Sequence, residues 1–258
     1  MGAAALFPRP RLMGGSADCE NMSSTNAADC AFSLLHGLGE SERRVLDRLL
    51  GEGRWVGVGE VVLGEGRAPD GVCVLLEGWA CRCKDFRDGR RQIAALLIAG
   101  DLIHHGDATH PRAGDHAVRA LTRARIAWIA PEAVMAALGD YPGLAQALRM
   151  AAAIEQATVR AWVVNLGQRV AHQRMAHLFC ELAHRLAPRD RPCPASFALP
   201  LTQQVLAWAL GLTAVHVNRV LKQLRGDGLI DFHNGVLTIF DNARLKRLAD
   251  FDGAYLVG

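Results

Sequence analysis

Between Leu199 and Leu229 the apolar positions fall twice into helical spacing, with a glycine between the two runs. Leu206, Ala207 and Leu210 make the stripe of a first short helix starting at Gln203, where Thr202 can cap an orphan backbone N–H and Gly211 supplies the stop. Thr213 caps a second helix running to about Arg225, whose Val217, Val220, Leu221 and Leu224 share one inward face. The opposite face holds Val215, His216, Arg219, Lys222 and Gln223, with Asn218 and Arg225 at its edges. Gly228-Leu229-Ile230 then opens an extended segment, His233-Asn234-Gly235 is a hairpin turn, and Val236 to Phe240 is the return strand. Helix, glycine turn, helix and hairpin in this order predict a winged helix-turn-helix.

Upstream the period changes. Residues 1–30 mix Gly, Ala, Ser, Asn and Pro without periodicity and read as a flexible extension. Ser41 to Leu50 reads as a short amphipathic helix capped by Ser41. From Trp55 to Ala130 short extended segments alternate with Gly and Asp turns. The best strands are Val72–Leu76, Ala80–Phe86, Gln92–Ile98 and Ala117–Ile129, with Asp88-Gly89 as a hairpin signal, which together read as an antiparallel β-roll. Pro131 starts a helical region. From Leu144 to about Leu166, Leu148, Ala151, Ala152, Val159, Trp162, Val163 and Leu166 recur near helical spacing. Such a long helix would expose its stripe in a monomer, and a second copy would bury it. Arg169 to Arg185 is another helix, Ala187 to Pro194 a loop, and Asp241 caps a last helix to about Leu248. The expected fold class is α+β. A β-roll sensor spans 31–138, a dimerisation helix 139–167 and a winged helix-turn-helix domain 168–258.

The 258 residues allow one large or two modest domains, and half of them are apolar. No run of 18 or more apolar residues occurs, so no transmembrane helix is expected. The Ala3–Phe7 run is too short for a signal peptide and precedes its arginines, so a cytoplasmic location is expected. Formal net charge is only +3, but it is unevenly placed. From Gln168 onward there are 11 Lys and Arg against 7 Asp and Glu, and no acidic residue lies between Thr202 and Gly226. A helix with one buried stripe and one basic, hydrogen-bonding face suits a DNA groove.

The chain resembles the superfamily of the cyclic-AMP receptor protein and the fumarate–nitrate reduction regulator. The resemblance rests on Leu201-Thr202-Gln203, Ala209-Leu210-Gly211-Leu212-Thr213, Val215-His216-Val217-Asn218-Arg219, Leu224-Arg225 and Gly228-Leu229-Ile230. Upstream, Leu75-Leu76-Glu77-Gly78 and Ala99-Gly100-Asp101 look like landmarks of that family's sensor, and the similarity covers about residues 35–255. It implies a homodimeric transcription regulator that binds double-stranded DNA at an inverted repeat, with RNA polymerase as a further partner if it activates. Within the second helix Arg219 is the first choice for a base contact, because its guanidinium can take guanine O6 and N7 together. Val215 is placed to meet a thymine methyl, and His216 and Asn218 are candidates for base edges. Thr202, Gln203, Thr213, Lys222 and Arg225 are candidates for phosphate. Well-known members carry glutamate where this chain has Val215, and one has arginine where Ala214 stands, so their operators do not transfer.

The sensor departs from the cyclic-AMP pattern. Family members that bind the nucleotide follow Gly-Asp with a Gly-Glu-Leu turn and carry an Arg-Ser pair before the next strand. Here Gly100-Asp101-Leu102-Ile103 leads into His104-His105-Gly106, and the pair before Ala117 is Asp115-His116. An aspartate repels a phosphate, with Arg112 or Arg119 as candidates to replace the missing cation. Cyclic AMP is therefore not the expected effector. His104, His105, Arg112 and His116, with His110, keep a haem- or metal-sensing regulator open as an alternative, beside the plainer reading of solvent-facing loop histidines. Cys19 and Cys30 are too few and too far apart for an N-terminal iron–sulfur cluster. Cys81 and Cys83 share one face of a strand, as a redox pair or as small core residues. A metal-dependent enzyme is the competing class, but there is no His-Glu-x-x-His and no nucleophile motif, so no catalytic residue is assigned.

Overall fold

The computed structural model describes residues 38–67, 71–104, 114–187 and 193–257. The expected N-terminal extension lies outside them, as do His105, His110 and Arg112. The chain enters through α1 (Glu40–Leu50). Ser41 is not its cap. Gly39 holds that position, and its backbone N–H donates to Glu42 Oε2 at 2.9 Å. The reaching-back carboxylate makes a capping side chain unnecessary, and Glu40 and Glu42 meet the positive end of the helix dipole.

Eight strands follow: β1 (Arg54–Val56), β2 (Val61–Leu63), β3 (Val72–Glu77), β4 (Ala80–Asp85), β5 (Arg91–Leu97), β6 (Leu102–His104), β7 (Ala117–Ala120) and β8 (Ala124–Ile129). They form two antiparallel sheets, β1-β8-β3-β6 and β2-β7-β4-β5. Val56, Leu75, Ala80, Leu97, Ile103, Val118 and Ile126 fill the space between them. The single strand expected over 117–129 is broken into β7 and β8, which belong to different sheets. The break is a corner: Leu121 N–H turns to Trp79 O at 2.8 Å, and Thr122 Oγ1 accepts from Trp79 N at 2.9 Å. The facing corner requires Gly78 (φ 85), where a Cβ would collide with Arg123 O. Alternation of apolar residues runs through such a corner unchanged, so the pattern hides it.

Next come α2 (Pro131–Asp140) and α3 (Pro142–Gln168). The first half of α3 buries Leu144, Ala147 and Ala151 against α1, α2 and the sheet residues Val72, Val74 and Ile129. In its second half Trp162 is buried, donating from Nε1 to Glu181 at 2.9 and 3.1 Å. Val159, Val163 and Val164 point outward, 41%, 66% and 52% exposed. Trp162 is thus separated from the outward stripe to which its spacing alone assigns it.

The C-terminal part comprises α4 (Ala171–Arg185), β9 (Ser196–Ala198), α5 (Gln203–Leu210), α6 (Ala214–Gly226), β10 (Ile230–His233), β11 (Val236–Ile239) and α7 (Asn242–Ala249), with a closing 3-10 turn at Gly253–Leu256. The hairpin β10–β11 turns through Asn234 (φ 50) and Gly235 (φ 73), as an Asn-Gly pair favours. β9, which no pattern announced, pairs with β11. Phe179, Leu178 and Leu182 of α4 are buried against Leu206, Leu210, Leu221 and Leu224. This core does not stop at the helices. Cys81, Cys83, Ile93 and Leu96, on the outward face of β4 and β5, belong to the same buried cluster, and α5 packs against β5. No helix among the described residues is long and apolar enough to cross a membrane.

Candidate nucleic-acid interface

Both helices of the C-terminal motif are fixed by the residues that announce them. Thr202 Oγ1 accepts from Val205 N and Thr213 Oγ1 from His216 N, each at 3.2 Å. Gly211 ends α5 in the left-handed region (φ 63, ψ 39). Val217, Val220, Leu221 and Leu224 are buried. The opposite face of α6 stands in solvent: Val215 is 74% exposed, and His216, Arg219, Lys222 and Gln223 are exposed too. Asn218 is half-buried and donates from Nδ2 to Gln203 Oε1 at 3.3 Å, so these two candidate contacts are held together as one polar unit across the two helices. Arg225 is half-buried, with its Nε unpartnered. The face therefore offers a fixed row of a methyl-bearing side chain, an imidazole, a guanidinium and an ammonium.

In the sensor His104 lies at the end of β6 with its ring stacked near Trp128, centroids 6.5 Å apart. His116 hydrogen-bonds the neighbouring Asp115 through Nδ1, and that bond holds the Asp115 carboxyl below its usual range. Among the described residues no group of three or more His, Cys, Asp or Glu is arranged to hold a metal ion. Arg119 does not enter the roll. It pairs in register with Cys81 on the outward face and donates to Asp85 at 3.1 Å.

Among the described residues a cation lies inside the sensor at Arg82, a position to which strand alternation alone gives no role. It is 6% exposed and donates to Leu102 O at 2.8 Å and Ile103 O at 3.1 Å. Its carboxylate partner, Glu155, comes from α3. The Arg82 guanidinium is taken by two carbonyls and a carboxylate, and among the described residues directly before β7 stands Asp115.

An exposed recognition face carried by a capped helix pair, joined to a β-roll through a long helix, defines a two-part DNA-binding transcription regulator. Residues 173–248 match the Crp-like helix-turn-helix domain, and residues 53–141 match the cyclic nucleotide-binding domain. The transcriptional activator protein FnrL of Cereibacter sphaeroides is 30% identical over 202 residues, covering 76% of this chain and 80% of that protein. The nitrogen fixation regulation protein FixK of Azorhizobium caulinodans is 27% identical over 188 residues, covering 72% and 75%. The solved structure of FixK2 from Bradyrhizobium japonicum superposes with a TM-score of 0.66 at 26% identity, covering 76% of this chain and 95% of that one. The chain belongs to the Crp/Fnr family of transcription regulators.

Proposed function

We propose that the protein works as a homodimer that reads an inverted repeat in double-stranded DNA through α6. The observation that carries this reading is the division of α6 into a buried apolar face and an exposed face of Val215, His216, Arg219, Lys222 and Gln223, free of acidic side chains. Arg219 takes a guanine edge, Val215 meets a thymine methyl, and His216 and Asn218 supply further base contacts. Lys222, Arg225 and Gln203 lie against phosphates and set the register. Thr202 and Thr213 add hydroxyls near the backbone while serving as caps. Dimer formation is supported by the exposed valines of α3, since Val159 and Val163 lie one helical turn apart on its outward face. A two-fold pairing along that face places two recognition helices about one DNA turn apart. Residues 31–138 act as the sensor, 139–167 as the dimer helix and 168–258 as the DNA-binding domain. Because Arg82 is occupied by Glu155, the sensor does not respond to cyclic AMP.

The test is selection of DNA sites from a random pool with the purified full-length protein and no added ligand. Enrichment of an inverted repeat is expected. Enrichment of only single half-sites would overturn the dimeric reading, and no enriched sequence would overturn competence without an effector.

A further inference from the structure

A chain of buried polar contacts links the sensor to the DNA-binding part. The guanidinium of Arg185, at the end of α4, donates from Nη1 to Leu96 O at 3.1 Å and from Nη2 to the carboxylate of Asp101. Leu96 is in β5, and Asp101 closes the Gly-Asp turn just after it, where its Oδ2 also accepts from Ile98 N at 2.7 Å. One helical turn earlier on α4, Glu181 is completely buried and lies 3.5 Å from Arg185. It accepts from Trp162 Nε1 of α3 and from Tyr255 OH at 2.9 Å. A single arginine therefore sits between a carboxylate of the sensor and a carboxylate anchored to the long helix and the C-terminus. Around it Arg91 of β5 lies over the Trp208 ring of α5, 4.8 Å from its centroid.

We infer that Arg185 is a positioning residue for DNA binding: it clamps the helix-turn-helix onto the outward face of β4 and β5 and so fixes where α6 points relative to α3. The inference rests on the dimeric reading above only for its consequence on DNA. Two features favour a clamp over mere packing. The contacts are directional and charged, so they specify one docking angle, where the surrounding Leu206, Leu210 and Ile93 tolerate sliding. Releasing them also has a distinct chemical signature. Cys81 and Cys83 lie in the cluster shared by the two parts and are almost fully buried. Cys73 and Cys180 are equally buried, but Cys73 lies between the sheets of the β-roll, and Cys180, though part of the shared cluster, sits on α4 with Cys193 and Lys246 of α7 as neighbours. Undocking uncovers the first pair and not the second, whereas unfolding uncovers all four.

The experiment is N-ethylmaleimide labelling of the native full-length protein, with the rate at each cysteine read by peptide mass spectrometry, in wild type, Asp101→Asn, Arg185→Ala and the double variant. Labelling of Cys81 and Cys83 should rise at least about tenfold in either single variant, and no further in the double variant, while Cys73 and Cys180 stay within about twofold. The same variants should bind a single half-site as wild type does. They should also lose discrimination between an inverted repeat of the selected spacing and one lengthened by a base pair, which rotates the half-sites by roughly a tenth of a turn. Unchanged Cys81 and Cys83, or four cysteines rising together, overturns the clamp. Opened thiols with intact spacing preference overturn its positioning role. If wild type itself shows no preference for an inverted repeat, the dimeric reading has failed, and the thiol rates alone decide whether the clamp exists.

Discussion

Arg219 and Lys222 share the exposed face of α6 but differ in what they can read. A guanidinium at a base edge distinguishes guanine, whereas an ammonium against phosphate carries no sequence information. Arg219→Ala should therefore abolish discrimination between the selected site and a scrambled one. Lys222→Ala should weaken both alike and lower the slope of log K against log salt by about one, read by fluorescence anisotropy over a salt series. His177 gives a prediction of another kind. It is buried on α4 with its Nδ1 unpartnered, and burial, aided by the charge of Arg169, pushes its pKa down to about 4. The unfolded chain takes up this proton first, near pH 6.5. The stability contributed by a neutral His177 is therefore complete above about pH 6.5 and is lost as pH falls toward about 4. Urea midpoints at about pH 7 and about pH 5 should fall further in wild type than in His177→Leu, which cannot titrate. An equal fall in both proteins would show that other groups carry the acid sensitivity.

At the scale of elements the caps matter most. Thr213→Ala leaves the His216 N–H without its acceptor and should cost about 1 kcal/mol in chemical denaturation, whereas Thr213→Asn keeps an acceptor and should cost little. The helix-turn-helix was legible in the sequence because each of its signals is local: a capping threonine, a stripe at helical spacing, a glycine stop and an Asn-Gly turn. The three-residue strands β1, β2 and β6, the pairing of β9, and the corner between β7 and β8 were not, since each depends on partners far along the chain. Arg82 illustrates the limit. In Cys81-Arg82-Cys83 alternation puts the arginine on a solvent face, but this sheet is covered on both sides, and the side chain ends against Glu155 of α3. Trp162 is a similar case. Its spacing groups it with Val159 and Val163, and only Glu181, on another helix, turns it inward.

For the whole molecule the outward valines of α3 set the test. Val163→Glu adds a charge at a position already 66% exposed, so the fold of one chain should survive while the seam between two does not. Sedimentation should show a monomer with unchanged far-ultraviolet circular dichroism, and binding to an inverted repeat should fall to that of a half-site. A variant that remains dimeric would place the dimer contact elsewhere. The shared buried cluster also bears on how the protein can be taken apart. With Cys81 and Ile93 sealed against Leu206 and Leu210, the sensor and the DNA-binding part hold each other's apolar surface out of water. They should melt in one cooperative transition rather than two. A truncated polypeptide beginning near Gln168 should be sticky and prone to precipitate, since it would carry a greasy face made to fit a sheet it no longer possesses.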